Sequence, residues 1–569
     1  VTTPTPRQPS DPAAAGPIPD PGPAWVSPRR DLAVVAMMLA PALAAIWSIP
    51  WFLTQDGPAH LYNAAIIIDS LRGCPVFGDY YVVRWEPLPN WGGHLTLTAL
   101  LATFPPRTAD RLMTTLTLLA VAFAAVWLRG KVAGGRPSVS ARALAALSAM
   151  SFSWLMGFAS FQLGACLFAV TLGVWWPGRD ALRPGRMAAL AALLTVGYFC
   201  HLVSLGLTVF ALGFLAIAAP ADCGERSWRD RIVRLGLCLS PLVVLGFVYL
   251  GLSRRGGAMV PRMPRPDEFL SIAGWMGRLG WVDPVSLKIK TMLPFTDRSA
   301  GAYLAFAPIV WLAAGGLVLG LSALRASQDE DRPAGAGAGV GVRRAWLGLS
   351  ALLILAGIFG PDSMGPGHGD YLPQRVALLG LIAAIPAIGP PSRSVVGGLG
   401  SAALVVALAL QSLSVWDYGL ATDRTAGRIA RAAPMIGEGR RVGTLLGDVR
   451  TPFRVNAMLH ADCWLGVDGG NIVWSNYETR HYYFPVHFRD DLHRPDPYDL
   501  QEIALLGTAP AAAERRRLWW ERLMDEYHQA IDVLLVWRED PALDAVSARW
   551  FEPDSRDGEV RVFKPREAR

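Results

Sequence analysis

Charge is scarce in this chain of 569 residues. Asp, Glu, Lys and Arg make up 17% of it against 52% hydrophobic residues, and the mean hydropathy is +0.30. A soluble globular protein carries about 25% charge, so a wholly soluble protein is excluded. Cysteine is scarce too. Six residues in so long a chain, with no CxxC or zinc-ligand spacing, make neither a disulfide scaffold nor a zinc ribbon. Only Cys74 and Cys463 fall in segments read below as lying outside the membrane, and nothing around them argues for a bridge. The apolar runs hold almost no charge at mid-depth, and no internal repeat is visible. Both absences weigh against a transporter or flippase, whose ionisable groups gather near the midplane and whose halves often repeat.

What the chain does have is long apolar runs. Runs near 32–53, 111–128, 142–157, 160–176, 187–201, 203–219, 233–251, 301–324, 344–360, 375–389 and 395–415 approach the length that crosses a bilayer as helix, about 20 residues. The expected fold is therefore a polytopic α-helical membrane protein of about eleven transmembrane helices. Residues 92–104, "GGHLTLTALLATF", are apolar but too short to cross, and predict a helix at the interface. Residues 1–30 are expected to be a disordered tail, since 1–28 hold nine prolines and little that could build a core. No cleavable leader is expected, because the first apolar run follows Arg29-Arg30 and is long enough to remain in the membrane.

The net charge of +7 invites a nucleic-acid reading, but topology explains it. Segments 29–30, 129–142, 178–186, 224–234, 324–344 and 390–394 all contain Arg, whereas the short connections near 158–160 and 202 contain no Lys or Arg. That alternation places the N-terminus in the cytoplasm and 416–569 outside. No nucleic-acid partner is expected. Apolar density falls after residue 415. Strand-like "IDVLLVW" and "GEVRVFK" flank no further span, and "AAAERRRLWWERLMDEYHQA" reads as helix. The C-terminal region is expected to be an extracytoplasmic α/β or α+β domain. Its segment "DCWLGVDGGNIVWSNYETRHYYFPVHF" is rich in Trp, Tyr, His and Asp, a composition shared by acceptor-binding surfaces and ordinary folded edges.

The stretch "WFLTQDGPAHLYNAAIIIDSL", 51–71, leaves the first span and starts a new helix at Pro58. Leu61, Ala64, Ala65, Ile68 and Leu71 then share one face, as on a helix lying along the membrane. Asp56 sits where a helix N-cap would. It is either that cap or a carboxylate delivered to the membrane surface for chemistry. His60, one turn on, is either a neighbour or a group that orients Asp56 or a ligand.

This arrangement resembles the GT-C superfamily of membrane glycosyltransferases. The resemblance covers roughly 30–415 and continues through "EPLPNWGGHLTLTALLATFPPRTADRLMTTLTLLAVAFAAVWLRGK", "HLVSLGL" and "YLPQRVALLGLI". It implies a first outer loop, 54–110, whose acidic residue, matching Asp56, acts as general base on the acceptor hydroxyl or ligates a metal. Many members carry a paired acid there. Gln55-Asp56 stands here instead, which favours a single-carboxylate base and leaves a divalent metal as an option. The resemblance further implies a polyprenyl-phosphate-linked sugar donor, a glycan, lipid or protein acceptor, hexosyl or pentosyl transfer, and a place in the bacterial cytoplasmic (inner) membrane.

Such a reaction needs a base near the hydroxyl and fixed positive charge near the leaving phosphate. Arg375, in "PDSMGPGHGDYLPQR", would enter its helix close to the head groups and could grip a phosphate with its planar fork. The alternative is a snorkelling anchor. Gln374 beside it, His201 at the end of its span, and Glu86 and His94 around "PLPNWGG" are candidates to line the same cavity. Asp362, His368 and Asp370 share one loop, either as a weak metal-site candidate or as a solvated turn. Trp51, Tyr80, Tyr81, Trp85 and Trp91 read as an interfacial aromatic belt or as sugar-stacking surfaces. A third possibility is a membrane scaffold that keeps the fold without catalysis.

Overall fold

A computed structural model describes residues 28–73, 76–134, 137–221, 228–253, 285, 288, 315, 339–363, 370–389, 395–449, 453, 455–506 and 510–566. The tail 1–27, Cys74, His368 and all of the expected span 301–324 but residue 315 lie outside them.

The apolar runs fold as helices α1 (Pro28–Ser48), α4 (Pro106–Ala133), α5 (Val139–Ala149), α6 (Phe152–Leu155), α7 (Ala159–Trp175), α8 (Pro184–Cys200), α9 (Leu202–Ala218), α10 (Trp228–Cys238), α11 (Ser240–Ser253), α12 (Val340–Phe359), α13 (Leu372–Ala384) and α14 (Val395–Arg424). Every expected span other than 301–324 falls on one of these helices or on a broken pair of them. Among the described residues, five are long and apolar enough to cross a membrane, or six if α10 and α11, bent by 49°, count as one. The others (α5 with α6, α8, α9 and α13) are shorter apolar helices. The protein is an integral membrane protein; a count of about eleven spans does not follow from these lengths.

Many of the arginines that suggested topology also finish helices. Arg231 donates to the carbonyls of Ala216, Ala219 and Pro220 at the end of α9 and pairs with Asp180. Arg142 pairs with Asp31 across α5 and α1. Carbonyls left open at a helix C-terminus attract such cations.

Two further helices lie between α1 and α4: α2 (Gly57–Arg72) and α3 (Trp91–Thr103), the latter the expected short interfacial helix. Pro58 starts α2, and Gly73 in the left-handed region closes it, its N–H reaching the carbonyls of Asp69 and Ser70. The expectation of a helix spread along the membrane surface is corrected: α2 is buried from Gly57 to Ala64 and again at Ile66 and Ile67. It packs against α3 on one side and against the C-terminal domain on the other.

That domain is built on a mixed five-stranded sheet, in the order β3-β2-β5-β7-β6. Strands β2 (Arg441–Leu446) and β3 (Ile472–Val473) are parallel, as are β2 and β5 (Val533–Trp537), while β7 (Val560–Pro565) runs antiparallel to β5 and to β6 (Phe551–Asp557). The expected strands "IDVLLVW" and "GEVRVFK" are β5 and β7, and the expected helix spans Pro510–Tyr527. Strand β5 is buried along its whole length, which is why it reads as an unbroken apolar run. Edge strand β6 carries Pro553, Asp554 and Asp557 and a bulge between Pro553 and Ser555, features that discourage pairing with another chain.

The segment between α1 and α4 and this domain are joined by strand pairing. Strand β1 (Tyr81–Val83) of the loop pairs antiparallel with β4 (Val486–Phe488), matching Tyr81 to Phe488, Val82 to His487 and Val83 to Val486. The aromatics read as a belt or a sugar platform mostly serve this junction. Tyr81 stacks on Phe488, Tyr80 packs on Trp474, and Trp51 meets Trp464 edge-on at 5.1 Å. Trp85, stacked on Trp91, is the exposed member.

Candidate active site

Backbone bonds position Asp56. The N–H groups of Gln55 and Asp56 donate to the carbonyls of Leu155 and Met156, at 3.1 and 3.0 Å. The chain then turns at Gly157 with φ +81°, where a Cβ would lie 2.7 Å from Thr54 Oγ1 and 2.9 Å from the Gly57 nitrogen. Only glycine allows both the turn and the approach.

Asp56 occupies the N-cap position of α2, but its side chain makes no capping bond. The cap reading therefore fails. Its carboxylate is buried and turned to the C-terminal domain: Oδ2 accepts from the Tyr477 hydroxyl at 3.0 Å and Oδ1 from Gln55 Nε2 at 3.4 Å. Gln55 in turn accepts the N–H of Asn456 at 2.8 Å. His460 Nε2 stands 3.7 Å from Oδ1, and its ring stacks on Tyr477 at 4.2 Å. Burial raises the Asp56 carboxyl to about 6, despite the opposing charge of His60 and the Tyr477 hydrogen bond. Burial likewise lowers His460, to about 3, so it is a neutral ring at physiological pH.

A second buried carboxylate stands beside this one. Glu478 lies in the single 3-10 turn Tyr477–Arg480 and is fully buried. Its Oε1 pairs with His60 Nδ1, and its Oε2 lies 2.7 Å from His94 Nε2. Burial opposes its charge, but the two histidines outweigh that and hold its carboxyl far below the usual range. The sequence offered one acid, Asp56, in the loop between α1 and α4; this second buried carboxylate comes from the C-terminal domain. Neighbouring contacts fix the same junction: Asn63 and Asn476 exchange amide hydrogen bonds at 3.2 and 2.9 Å, and the Tyr62 hydroxyl donates to the Asn471 carbonyl at 2.7 Å.

Arg375 lies in the first turn of α13, buried, its guanidinium 4.6 Å over the Phe158 ring and 5.6 Å from that of Phe161. Among the described residues it has no ion pair, and its Nε has no hydrogen-bond acceptor. The charges of Asp370 and Asp56 both act on it. His201, at the junction of α8 and α9, packs edge-on against Phe161 at 5.3 Å, with Nδ1 unpartnered. Arg375 and His201 therefore share one aromatic wall.

The remaining candidates go elsewhere. Gln374 faces a small cavity with Ser148, Ser151 and Ser153. Glu86 is half-buried and contributes its backbone carbonyl to Trp91 Nε1 at 2.9 Å. Asp362 is ion-paired with Lys288 at 2.9 Å, which competes with metal binding in that loop, and His368 lies outside the described residues. Cys463 is a free, buried thiol.

Sequence reasoning missed Glu478, Tyr477, His460 and Asp110. Asp110 is a buried carboxylate near the start of α4 that shares a cavity of about 20 Å³ with His60, Thr114, Thr117 and Gln162. The available signal was the His-, Tyr- and acid-rich segment around "NYETRHYY", which composition singled out without assigning a residue.

No family model matches the chain, and no curated protein matches it in sequence. Among solved structures it is similar to that of ArnT from Cupriavidus metallidurans bound to undecaprenyl phosphate. The TM-score is 0.46 at 14% identity, over 93% of this chain and 98% of that one.

Proposed function

We propose that the chain is a membrane glycosyltransferase of the GT-C type, moving a sugar from a polyprenyl-phosphate donor to a glycan, lipid or protein acceptor. The reaction would take place on the extracytoplasmic face of a bacterial cytoplasmic membrane, with the N-terminus inside and the C-terminal domain outside. The observation that carries this reading is the placement of Asp56. A buried carboxylate that could have capped its helix is instead held away from the helix by Tyr477 and Gln55.

In this reading Asp56 takes the proton of the acceptor hydroxyl as its oxygen attacks the anomeric carbon. The new glycosidic C–O bond forms as the bond from that carbon to the phosphate oxygen breaks. The lipid phosphate leaves with the electron pair, and Arg375 stabilises it. A buried guanidinium without an ion pair is costly unless an anion completes it, which suits a site that binds phosphate. The donor assignment rests on Arg375 and on the sequence resemblance, not on the likeness to ArnT.

Transport is disfavoured because the apolar runs hold almost no charge at mid-depth and show no internal repeat. An inactive scaffold is disfavoured because Glu478 supplies the second buried acid. The test is Asp56→Asn in the native host, with glycans and lipid-linked sugars compared by mass spectrometry against wild type and a deletion, and membrane abundance checked by immunoblot. A normally abundant variant that matches the deletion, losing one glycan while a lipid-phosphate sugar accumulates, supports the reading. A variant indistinguishable from wild type, beside a deletion with a clear defect, removes Asp56 from the chemistry.

A further inference from the structure

Glu478 holds one histidine nitrogen against each of its carboxylate oxygens, His60 Nδ1 at Oε1 and His94 Nε2 at Oε2. His94 Nδ1 lies 3.2 Å from the Asn90 carbonyl. In a neutral imidazole only one nitrogen carries a proton. A neutral His94 that directs its Nδ1 proton at Asn90 points the Nε2 lone pair at a fully buried carboxylate, which is repulsive in a dry interior. A cation among the three side chains removes that repulsion, with both rings and the carboxylate as its ligands.

We propose the cation: His60 Nδ1, His94 Nε2 and a Glu478 carboxylate oxygen are the protein ligands of one divalent transition-metal ion of the zinc class. All three ligand atoms lie within 4.8 Å of one another, and all three residues are buried. Two imidazoles and a carboxylate form a donor set that suits such metals, not calcium or magnesium. A ligating histidine usually donates its remaining N–H to a carbonyl or carboxylate, which fixes ring and tautomer, and the Asn90 carbonyl is placed to accept it from His94. Phe484 packs against both imidazoles, at 6.3 and 5.6 Å, and shields the cluster from water. Three protein ligands leave a position for water or a substrate oxygen.

The ligands come from α2, α3 and the C-terminal domain, so the ion would clamp the domain to the outer loop. Glu478 is adjacent to Tyr477, which holds Asp56, so metal binding would also fix the Asp56 carboxylate. The metal assignment itself stands apart from the transferase reading, since binding is measured without turnover.

The experiment uses tag-free full-length protein in detergent, purified without chelator, with metal content measured by inductively coupled plasma mass spectrometry. The expected result is about one zinc-class ion per chain. Stripping with chelator and titrating with zinc alone should restore one equivalent and raise the melting temperature. Glu478→Gln and His94→Gln should lose the equivalent, whereas His493→Gln, whose ring bonds the Glu526 carbonyl away from the cluster, should keep it. If stripped wild-type protein remains folded by size exclusion and thermal melting yet takes up no stoichiometric zinc, the proposal is overturned and the cluster is a hydrogen-bonded histidine–carboxylate network. The wild-type titration needs no variant, so a misfolded mutant leaves the test intact.

Discussion

The Tyr477 hydroxyl donates to Asp56 Oδ2 at 3.0 Å across 421 positions of sequence. The residue after Tyr477 holds His60, one turn along the helix that begins after Asp56. A single 3-10 turn of the C-terminal domain therefore grips both the carboxylate and the helix behind it. The domain is part of the candidate site, joined to the segment between α1 and α4 by the β1–β4 ladder.

Tyr477→Phe keeps the ring against His460 and deletes only the donor. A hydrogen bond to a charged group is worth about 1.5–3 kcal/mol, so the turnover rate should fall by about tenfold to a hundredfold. Because the hydroxyl acts through Asp56, KM for the donor should change little. A rise in KM with unchanged kcat would mean that Tyr477 contacts substrate instead.

What was legible in the sequence followed distance along the chain. Apolar runs are local, so helix positions, the short helix α3 and strands β5 and β7 could be read directly. Asp56, His60 and His94 were nominated because they fall in one loop. Glu478 was not, because no spacing links residue 60 to residue 478. The same blindness explains α2. Its apolar face at 61, 64, 65, 68 and 71 reads as membrane-facing until the C-terminal domain covers the opposite side. The N-cap alternative for Asp56 was sound on local grounds and failed on a tertiary one: Tyr477 and Gln55 take the carboxylate that the helix N-terminus would have used.

Gly466→Ala should undo the docking without touching a polar group. A Cβ there would come within 2.2 Å of the Tyr62 ring, whose hydroxyl is bonded to Asn471 and to the N–H of Val473. Overpacking of this kind costs about 1–3 kcal/mol. The variant should melt lower, and proteolysis should release the C-terminal domain sooner than in wild type. Equal resistance would show that the short helix Trp464–Gly469 can shift to make room.

Asp532→Asn should expose a pH-dependent bond inside the C-terminal domain. The Asp532 carboxylate accepts from Arg441 N, Nε and Nη2, at 2.9, 3.1 and 2.6 Å, tying the starts of β2 and β5. Burial alone would raise this carboxyl, but the bonds and charge of Arg441 outweigh it and lower it below 3.8. A depressed acid stabilises above its unfolded value, and that stabilisation is lost as pH falls through the folded value. Both side chains are about a third exposed, at 32% and 30%, so solvent screening holds the effect to about 1 kcal/mol. Thermal melts of wild type and variant should differ at pH 7 and converge as pH falls below 3.8. A difference that persists in acid would assign the loss to packing.

Arg375 separates charge from geometry. Removing a charge-assisted hydrogen-bond partner of a phosphate costs about 1.5–3 kcal/mol, so Arg375→Ala should weaken binding of a polyprenyl phosphate by at least about tenfold. Arg375→Lys keeps the charge but gives up the planar fork and the stacking on Phe158 and Phe161. It should recover only part of the loss. The measurement is titration of a short-chain polyprenyl phosphate into each detergent-solubilised variant, beside the uncharged polyprenol. If the alcohol loses as much affinity as the phosphate, Arg375 is shaping the apolar groove. If only the phosphate weakens, and Lys restores part of it, the guanidinium is reading the anion that leaves the sugar.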